Sequence, residues 1–168
     1  MQNNRESNLP VPSNPLTMAY EQLKLENQLC FPVYAASRLI TREYQPHLNK
    51  LGITYPQYLV LMVLWEHSSL TVKEISSKLI LNTNTLTPLL KRMMNQGILT
   101  RRRSEDDERK VIVALTEKGE RMQHEAAEIP EKLLTGLLSE GMEVNDIIDL
   151  RDRLNAIIKY LSDKENLL

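Results

Sequence analysis

The chain has one cysteine, one phenylalanine and only five glycines among 168 residues. With Cys30 alone, no disulfide within the chain and no cysteine-rich metal site can form. The three histidines, His47, His67 and His124, show no ligand spacing, so neither a metal nor a cofactor is expected. Scarce glycine and phenylalanine speak against a glycine-loop enzyme or a β-rich fold. No uncharged apolar run reaches the roughly 18 residues of a membrane span. The first twenty residues are polar and proline-bearing, unlike the apolar core of a secretion signal. A cytoplasmic protein with no membrane partner is expected.

What is present is ordinary globular material, 42% hydrophobic and 26% charged, with a net charge of −1. That charge alone argues against a strongly basic nucleic-acid binder, but its distribution is uneven. Between Asn82 and Leu115, Lys91, Arg92, Arg101, Arg102, Arg103, Arg109 and Lys110 face Glu105, Asp106, Asp107 and Glu108. Seven cations against four acids put this stretch at +3 and leave −4 for the rest. A basic segment on an acidic body concentrates phosphate attraction on one surface.

The spacing of apolar and capping residues predicts a mostly α (α+β) fold. Residues 1–19 carry Pro10, Pro12 and Pro15 among Asn and Ser and read as a flexible tail. Leu25, Leu29, Val33, Ala36, Leu39 and Ile40 follow helical spacing, which predicts a long first helix over residues 20–50, kinked at Pro32. Thr54 and Pro56 open a second helix to His67. Thr71-Val-Lys-Glu74 is a capping box for a short third helix ending at Leu79. Asn82 caps a fourth helix that ends at Gly97, and helix, turn, helix follows. Ile98–Arg103 and Lys110–Leu115 read as strands around a charged loop, which makes a wing. Thr116 caps a fifth helix, bent near Pro130. The last segment places Ile147, Leu150, Leu154, Ile157 and Leu161 at alternating intervals of three and four, a short heptad seam suited to a partner helix. The expected organisation is a winged helix-turn-helix over residues 54–115, flanked by dimerisation helices over 20–50 and 117–168.

Asp107-Glu-Arg109, followed by Leu115-Thr-Glu-Lys-Gly119, resembles the wing and helix entry of MarR-type repressors. Leu25-Glu-Asn-Gln-Leu-Cys30-Phe, Thr54-Tyr-Pro-Gln-Tyr58 and Thr85-Leu-Thr-Pro-Leu-Leu-Lys-Arg92 resemble the OhrR branch, repressors that sense organic hydroperoxides through one reactive cysteine. The similarity covers about Leu23 to Pro130. Asn82-Thr-Asn84 stands where that branch has Asp-Ser-Gly, which bears on operator preference, and Pro32 departs from it near the cysteine.

A helix for the major groove and donors for phosphates are what duplex recognition needs. Thr83, Asn84, Thr85 and Thr87 near the start of the fourth helix are candidates for base edges, Lys91 and Arg92 for phosphates. Arg101, Arg102 and Arg103 add cations from the first wing strand. The resemblance makes Arg109 a minor-groove contact, with Asp107 pairing with it or holding the loop. Taken alone, an arginine beside four acids reads as a solvated salt-bridge tip.

Peroxide sensing needs a thiolate, for which Cys30 is the only candidate. Tyr34 lies one turn away, and Tyr44 about 40° off the same face of a continuous helix. Fourteen residues of helix span about 21 Å, so Tyr44 cannot reach Cys30 within one chain. The resemblance implies that Tyr44 and Tyr55 reach the partner's cysteine across a homodimer, near Tyr34, as hydrogen-bond donors to the thiolate. It further implies oxidation to sulfenic acid, then a mixed disulfide with a low-molecular-weight thiol, and release of an inverted-repeat operator on double-stranded DNA. The alternative is a MarR-type repressor released by a reversible aromatic or phenolic ligand, with Cys30 incidental. A thiol peroxidase is a third reading, opposed by the absence of a thioredoxin-like βαβ pattern and of a resolving cysteine. The expectation is a repressor and not an enzyme.

Overall fold

The computed structural model describes residues 20–104, 107 and 109–165. The expected tail over residues 1–19 lies outside them, as do Glu105, Asp106 and Glu108 of the wing tip. The chain divides into two compact units, residues 1–39 and 40–168. Among the described residues, no helix is long and apolar enough to cross a membrane.

In the first unit the expected long helix is shorter. Residues 21–23 and 25–27 form two single 3₁₀ turns, and α1 runs from Cys30 to Lys50. Pro32 explains the difference: inside a helix it would delete a backbone bond and collide with the preceding turn, whereas in the first turn its missing N–H costs nothing. Pro32 therefore marks a start and not a kink. Apolar side chains here stay exposed, among them Leu23, Leu25, Leu29, Phe31 and Val33.

The second unit carries the core. α2 (Tyr55–His67) starts as read from sequence: the Gln57 side-chain oxygen accepts the Thr54 N–H at 2.8 Å. Gln57 is buried, and its amide donates to Gln96, which donates to the Gly52 carbonyl. The beginning of α2 is thus tied to Gln96, distant in sequence. α3 (Val72–Leu79) has the expected capping box, with Glu74 accepting from the Thr71 N–H at 2.7 Å. Its far end carries no glycine. Ile80 takes the left-handed conformation there (φ 54°), and the Leu81 N–H reaches back to Ser76.

α4 (Thr83–Asn95) is capped by Asn82, whose side-chain oxygen accepts the Thr85 N–H at 2.8 Å. It ends at Gly97 (φ 69°), where Gly97 N–H bonds the Met94 carbonyl and Ile98 N–H the Met93 carbonyl. This paired bonding is the Schellman ending that a glycine at that position favours. Leu86, Leu89, Leu90 and Met93 form its buried stripe against Val60, Leu61 and Leu64 of α2 and Ile75 of α3.

β2 (Leu99–Arg103) and β3 (Val111–Leu115) form the expected hairpin, with Leu99 opposite Leu115 and Arg103 opposite Val111. The structure adds a strand that sequence reasoning missed. β1 (Ser69–Thr71) pairs with β3 and gives the order β1-β3-β2. Three residues are too few to show an alternating pattern. Leu70, Val113 and Leu99 share the inner face of this sheet.

The bent fifth helix is in fact two helices, α5 (Glu117–Ala126) and α6 (Ile129–Ser139). Pro130 sits in the first turn of α6, where it initiates a helix at no cost. α7 (Val144–Glu165) contains the seam. Leu150, Ile157 and Leu161 on it are exposed, as are Val144, Ile148, Ile158 and Tyr160.

Candidate functional site

The outer face of α4 is built by the same periodicity that buries its inner stripe. Thr83, Asn84, Thr85, Thr87, Lys91 and Arg92 are all exposed. The Thr85 hydroxyl is already engaged, donating to Asn82 at 2.9 Å, so Thr85 belongs to the cap as well as to the face.

Beside the first turns of α4 opens a cleft of about 500 Å³. Thr71, Val72 and Lys73 of the α3 entry, Thr83 and Thr87 of α4, Arg101 of β2, and Arg109, Lys110 and Val111 of the wing line it. Among the described residues, four cations and no carboxylate line its walls. Of the residues expected from sequence, this cleft brings together Thr83, Thr87, Arg101 and Arg109. Lys73 and Lys110 are additions, because no sequence pattern places the start of α3 next to the wing. Side chains alternate along β2, so Arg102 leaves on the face opposite Arg101 and Arg103. Asn84, Lys91 and Arg92 lie on α4 outside the lining. A concave cationic surface of this kind suits phosphate groups, while the exposed threonines and asparagine beside it present neutral donors and acceptors.

In the wing, both readings of Asp107 hold at once. Its Oδ1 accepts the Arg109 backbone N–H and the Arg109 Nε, each at 3.1 Å. These bonds from Arg109 hold the Asp107 carboxyl below the usual carboxylate range. Arg109 itself is 92% exposed, so the pair aims a guanidinium into solvent instead of burying it.

The Leu115-Thr-Glu-Lys-Gly119 motif acquires a physical role that sequence reasoning gave only to Thr116. Thr116 caps α5 by accepting the Gly119 N–H at 3.2 Å, and its hydroxyl approaches the Gly97 carbonyl at 2.7 Å. Lys118 donates to the Gln96 carbonyl at 2.8 Å. Gly119 packs directly on the Ile98 carbonyl, where any Cβ would collide. The motif is a clasp that joins the end of α4 to the exit of β3.

Cys30 is exposed in the first turn of α1. A helix N-terminus presents unpaired N–H groups that favour an anion. Tyr34, one turn on, accepts a hydrogen bond from Arg38 at 2.9 Å and carries that guanidinium over its ring. The other two expected tyrosines belong to the second unit and meet there: the Tyr44 and Tyr55 rings lie 5.3 Å apart, edge to face. Tyr58, not singled out from sequence, joins them at 5.8 and 6.2 Å.

Burial raises the pKa of all three phenols, and that of Tyr58, also crowded by Tyr44 and Tyr55, is pushed up to about 12. Each therefore keeps its proton, and its capacity to donate, throughout the physiological range. The sign of the linked stability follows. An unfolded chain releases these protons first, near the ordinary value of 10.0, so stability is intact below that pH and is lost as pH rises through about 12. Thermal melts at stepped pH, with phenolate absorbance recorded in parallel, should show this decline. A melting temperature flat from pH 9 to 12 would contradict the packing of the cluster.

An outward helix face, a cationic cleft and a wing that projects an arginine together define a winged-helix DNA-binding regulator. The family described as "Transcriptional regulator SarA/Rot" matches residues 42–126. The organic hydroperoxide resistance transcriptional regulator of Bacillus subtilis is 49% identical over 145 residues, covering 86% of this chain and 97% of that protein. AbfR of Staphylococcus epidermidis, reduced and bound to DNA, is 38% identical with a TM-score of 0.68 over 86% of this chain and 99% of that one. Its overoxidized DNA-bound form gives 37% and 0.69 with the same coverage, 86% and 99%. A mutant MarR of E. coli on operator DNA shares the fold at 22% identity, with a TM-score of 0.69 over 77% of this chain and 92% of that one. The chain belongs to the family of the organic hydroperoxide resistance transcriptional regulator and to that described as "Transcriptional regulator SarA/Rot", and it shares the fold of MarR.

Proposed function

We propose that this protein is a cytoplasmic, homodimeric repressor that holds an inverted-repeat operator when Cys30 is reduced and releases it when an organic hydroperoxide oxidises that residue. The observation that carries this reading is the lone exposed cysteine in the first turn of α1, in a chain 49% identical to an organic hydroperoxide resistance regulator.

The chemistry needs no metal and no second cysteine. The Cys30 thiolate attacks the outer peroxide oxygen; an S–O bond forms and the O–O bond breaks. Sulfur loses two electrons, and the alkoxide takes up a proton and leaves as an alcohol, giving sulfenic acid. A low-molecular-weight thiol then condenses with it, forming a disulfide and releasing water. Tyr44 and Tyr55 of the opposite subunit are the donors to the thiolate, with Tyr34 nearby. A second copy also supplies cover for the apolar residues exposed on α7. On DNA, Thr83, Asn84 and Thr87 face bases, with Thr85 closing the cap. Lys91, Arg92, Arg101, Arg102 and Arg103 serve the backbone, and Arg109, braced by Asp107, enters the minor groove. Oxidation disturbs the tyrosines and so the spacing of the two wing domains. The chain acts as a regulator and does not turn over peroxide.

The test uses a duplex selected in vitro by the reduced protein, with binding measured at fixed salt before and after cumene hydroperoxide. Wild type should lose at least about tenfold in affinity, within the usual range of couplings between sites. Cys30→Ser should bind the same duplex and keep it. Release by Cys30→Ser equal to wild type would select reversible ligand binding instead.

A further inference from the structure

Tyr58 and Trp65 lie between the two sensing tyrosines and the clasp at the base of the wing. Tyr58 is only 3% exposed and touches both Tyr44 and Tyr55. Seven residues on along α2, which is two turns and the same face, Trp65 packs against Tyr58 with ring centres 6.1 Å apart and planes at 67°. The indole N–H then leaves the aromatic cluster altogether and donates to the Gly119 carbonyl at 2.9 Å. Gly119 is the residue pressed on the Ile98 carbonyl, and its N–H is held by Thr116, whose hydroxyl reaches the last turn of α4 at Gly97.

We infer that Tyr58 and Trp65 are positioning residues that couple the arrangement of Tyr44 and Tyr55 to the junction of α4 with the wing. The inference rests on the sensing role proposed for Tyr44 and Tyr55. Three properties support it. Edge-to-face and tilted aromatic contacts are directional, so a ring that shifts loses its pairing unless its neighbour shifts too. Close-packed interiors respond to such shifts by changing between discrete arrangements, not by yielding continuously. The chain of contacts also ends on a hydrogen bond, which is either made or broken, at a backbone point where the absence of a side chain leaves no slack. A tryptophan needed only to fill the core would be served by its ring. Here the polar edge is bonded to a residue of the clasp at the exit of the wing.

The full-length protein tests this with Trp65→Phe, which keeps a ring and removes the donor, and Tyr58→Leu, which removes the aromatic link. Three quantities are measured: loss of the Cys30 thiol with cumene hydroperoxide, affinity for the selected duplex before and after that loss, and melting temperature. Both variants should lose the thiol at the wild-type rate and bind DNA within about twofold of wild type when reduced. On oxidation they should release it by only about twofold, where wild type loses tenfold or more. A purely structural role would lower the melting temperature and leave the release factor alone. Should Tyr58→Leu fail to fold, Trp65→Phe decides by itself. Normal release by oxidised Trp65→Phe overturns the inference while leaving the sensing role standing. Wild type that keeps its DNA after complete thiol loss overturns both. Trp65 is the single tryptophan, so its emission reports on the same link. The spectrum should shift on oxidation of wild type and stay fixed in Cys30→Ser; an unchanged wild-type spectrum after thiol loss overturns the inference.

Discussion

Replacing Gly119 with alanine should destabilise the protein more than any other single-methyl change in the winged domain. The new Cβ would meet the Ile98 carbonyl oxygen, a backbone atom that cannot rotate away, and would stand 3.0 Å from a Leu115 methyl. Ile98 is buried between Met93 and Leu99, and its carbonyl accepts the Thr116 N–H at 3.0 Å. Moving it therefore strains the end of α4, the start of β2 and the α5 cap together. Overpacking of this kind costs about 1 to 3 kcal/mol and sometimes more. For a chain of this size that corresponds to a fall of roughly 2 to 12 °C in melting temperature. The same change in a helix open to solvent should be favourable, and Gly136 offers that control, since nothing stands within 4 Å of a Cβ there. Equal melting temperatures for Gly119→Ala and wild type would show that the clasp is looser than this packing.

The contrast between the two glycines bears on what the sequence made legible. Helix starts announced themselves because a cap is a local device: Thr71, Asn82 and Thr116 each accept the N–H three residues on, the Thr54 N–H is accepted by Gln57, and all four helices begin where those residues predict. The wing strands were legible as two short runs on either side of a charged loop. Features that depend on distant partners were not. Trp65 meets Gly119 across 54 positions, and no periodicity encodes that contact. Lys73 and Arg109 line one cleft with β1 leading into α3 beside the wing sheet, and β1 is too short to read. Prolines misled in a consistent way. Pro32 and Pro130 each lie at a helix start, yet an apolar rhythm running through them reads as one longer, bent helix. At Ile80 the left-handed ending that a glycine would advertise is held by a β-branched residue, so the turn of the helix-turn-helix was placed from its neighbours alone.

Arg109→Ala should weaken binding to the selected duplex by about 1 to 3 kcal/mol, which is a loss of roughly 5- to 150-fold. Asp107 should matter only through Arg109. Its carboxylate repels phosphate, so taken by itself its removal would favour binding. Yet the bonds it accepts from the arginine backbone and side chain hold the guanidinium in one direction on an exposed loop. Freeing that side chain returns an ordering cost of about 0.5 to 1.5 kcal/mol to be met on binding. Asp107→Ala should therefore weaken binding less than Arg109→Ala does, and only while Arg109 is present. In the double variant the loss of orientation has nothing left to act on, and removing an acid should then be neutral or slightly favourable. Affinities of the four proteins at one salt concentration form the cycle that measures this. Additive losses from the two changes would mean that Asp107 serves the complex by a route other than aiming Arg109. Losses that vanish at Asp107 once Arg109 is alanine would explain how a wing with an acidic tip can still deliver a cation to DNA.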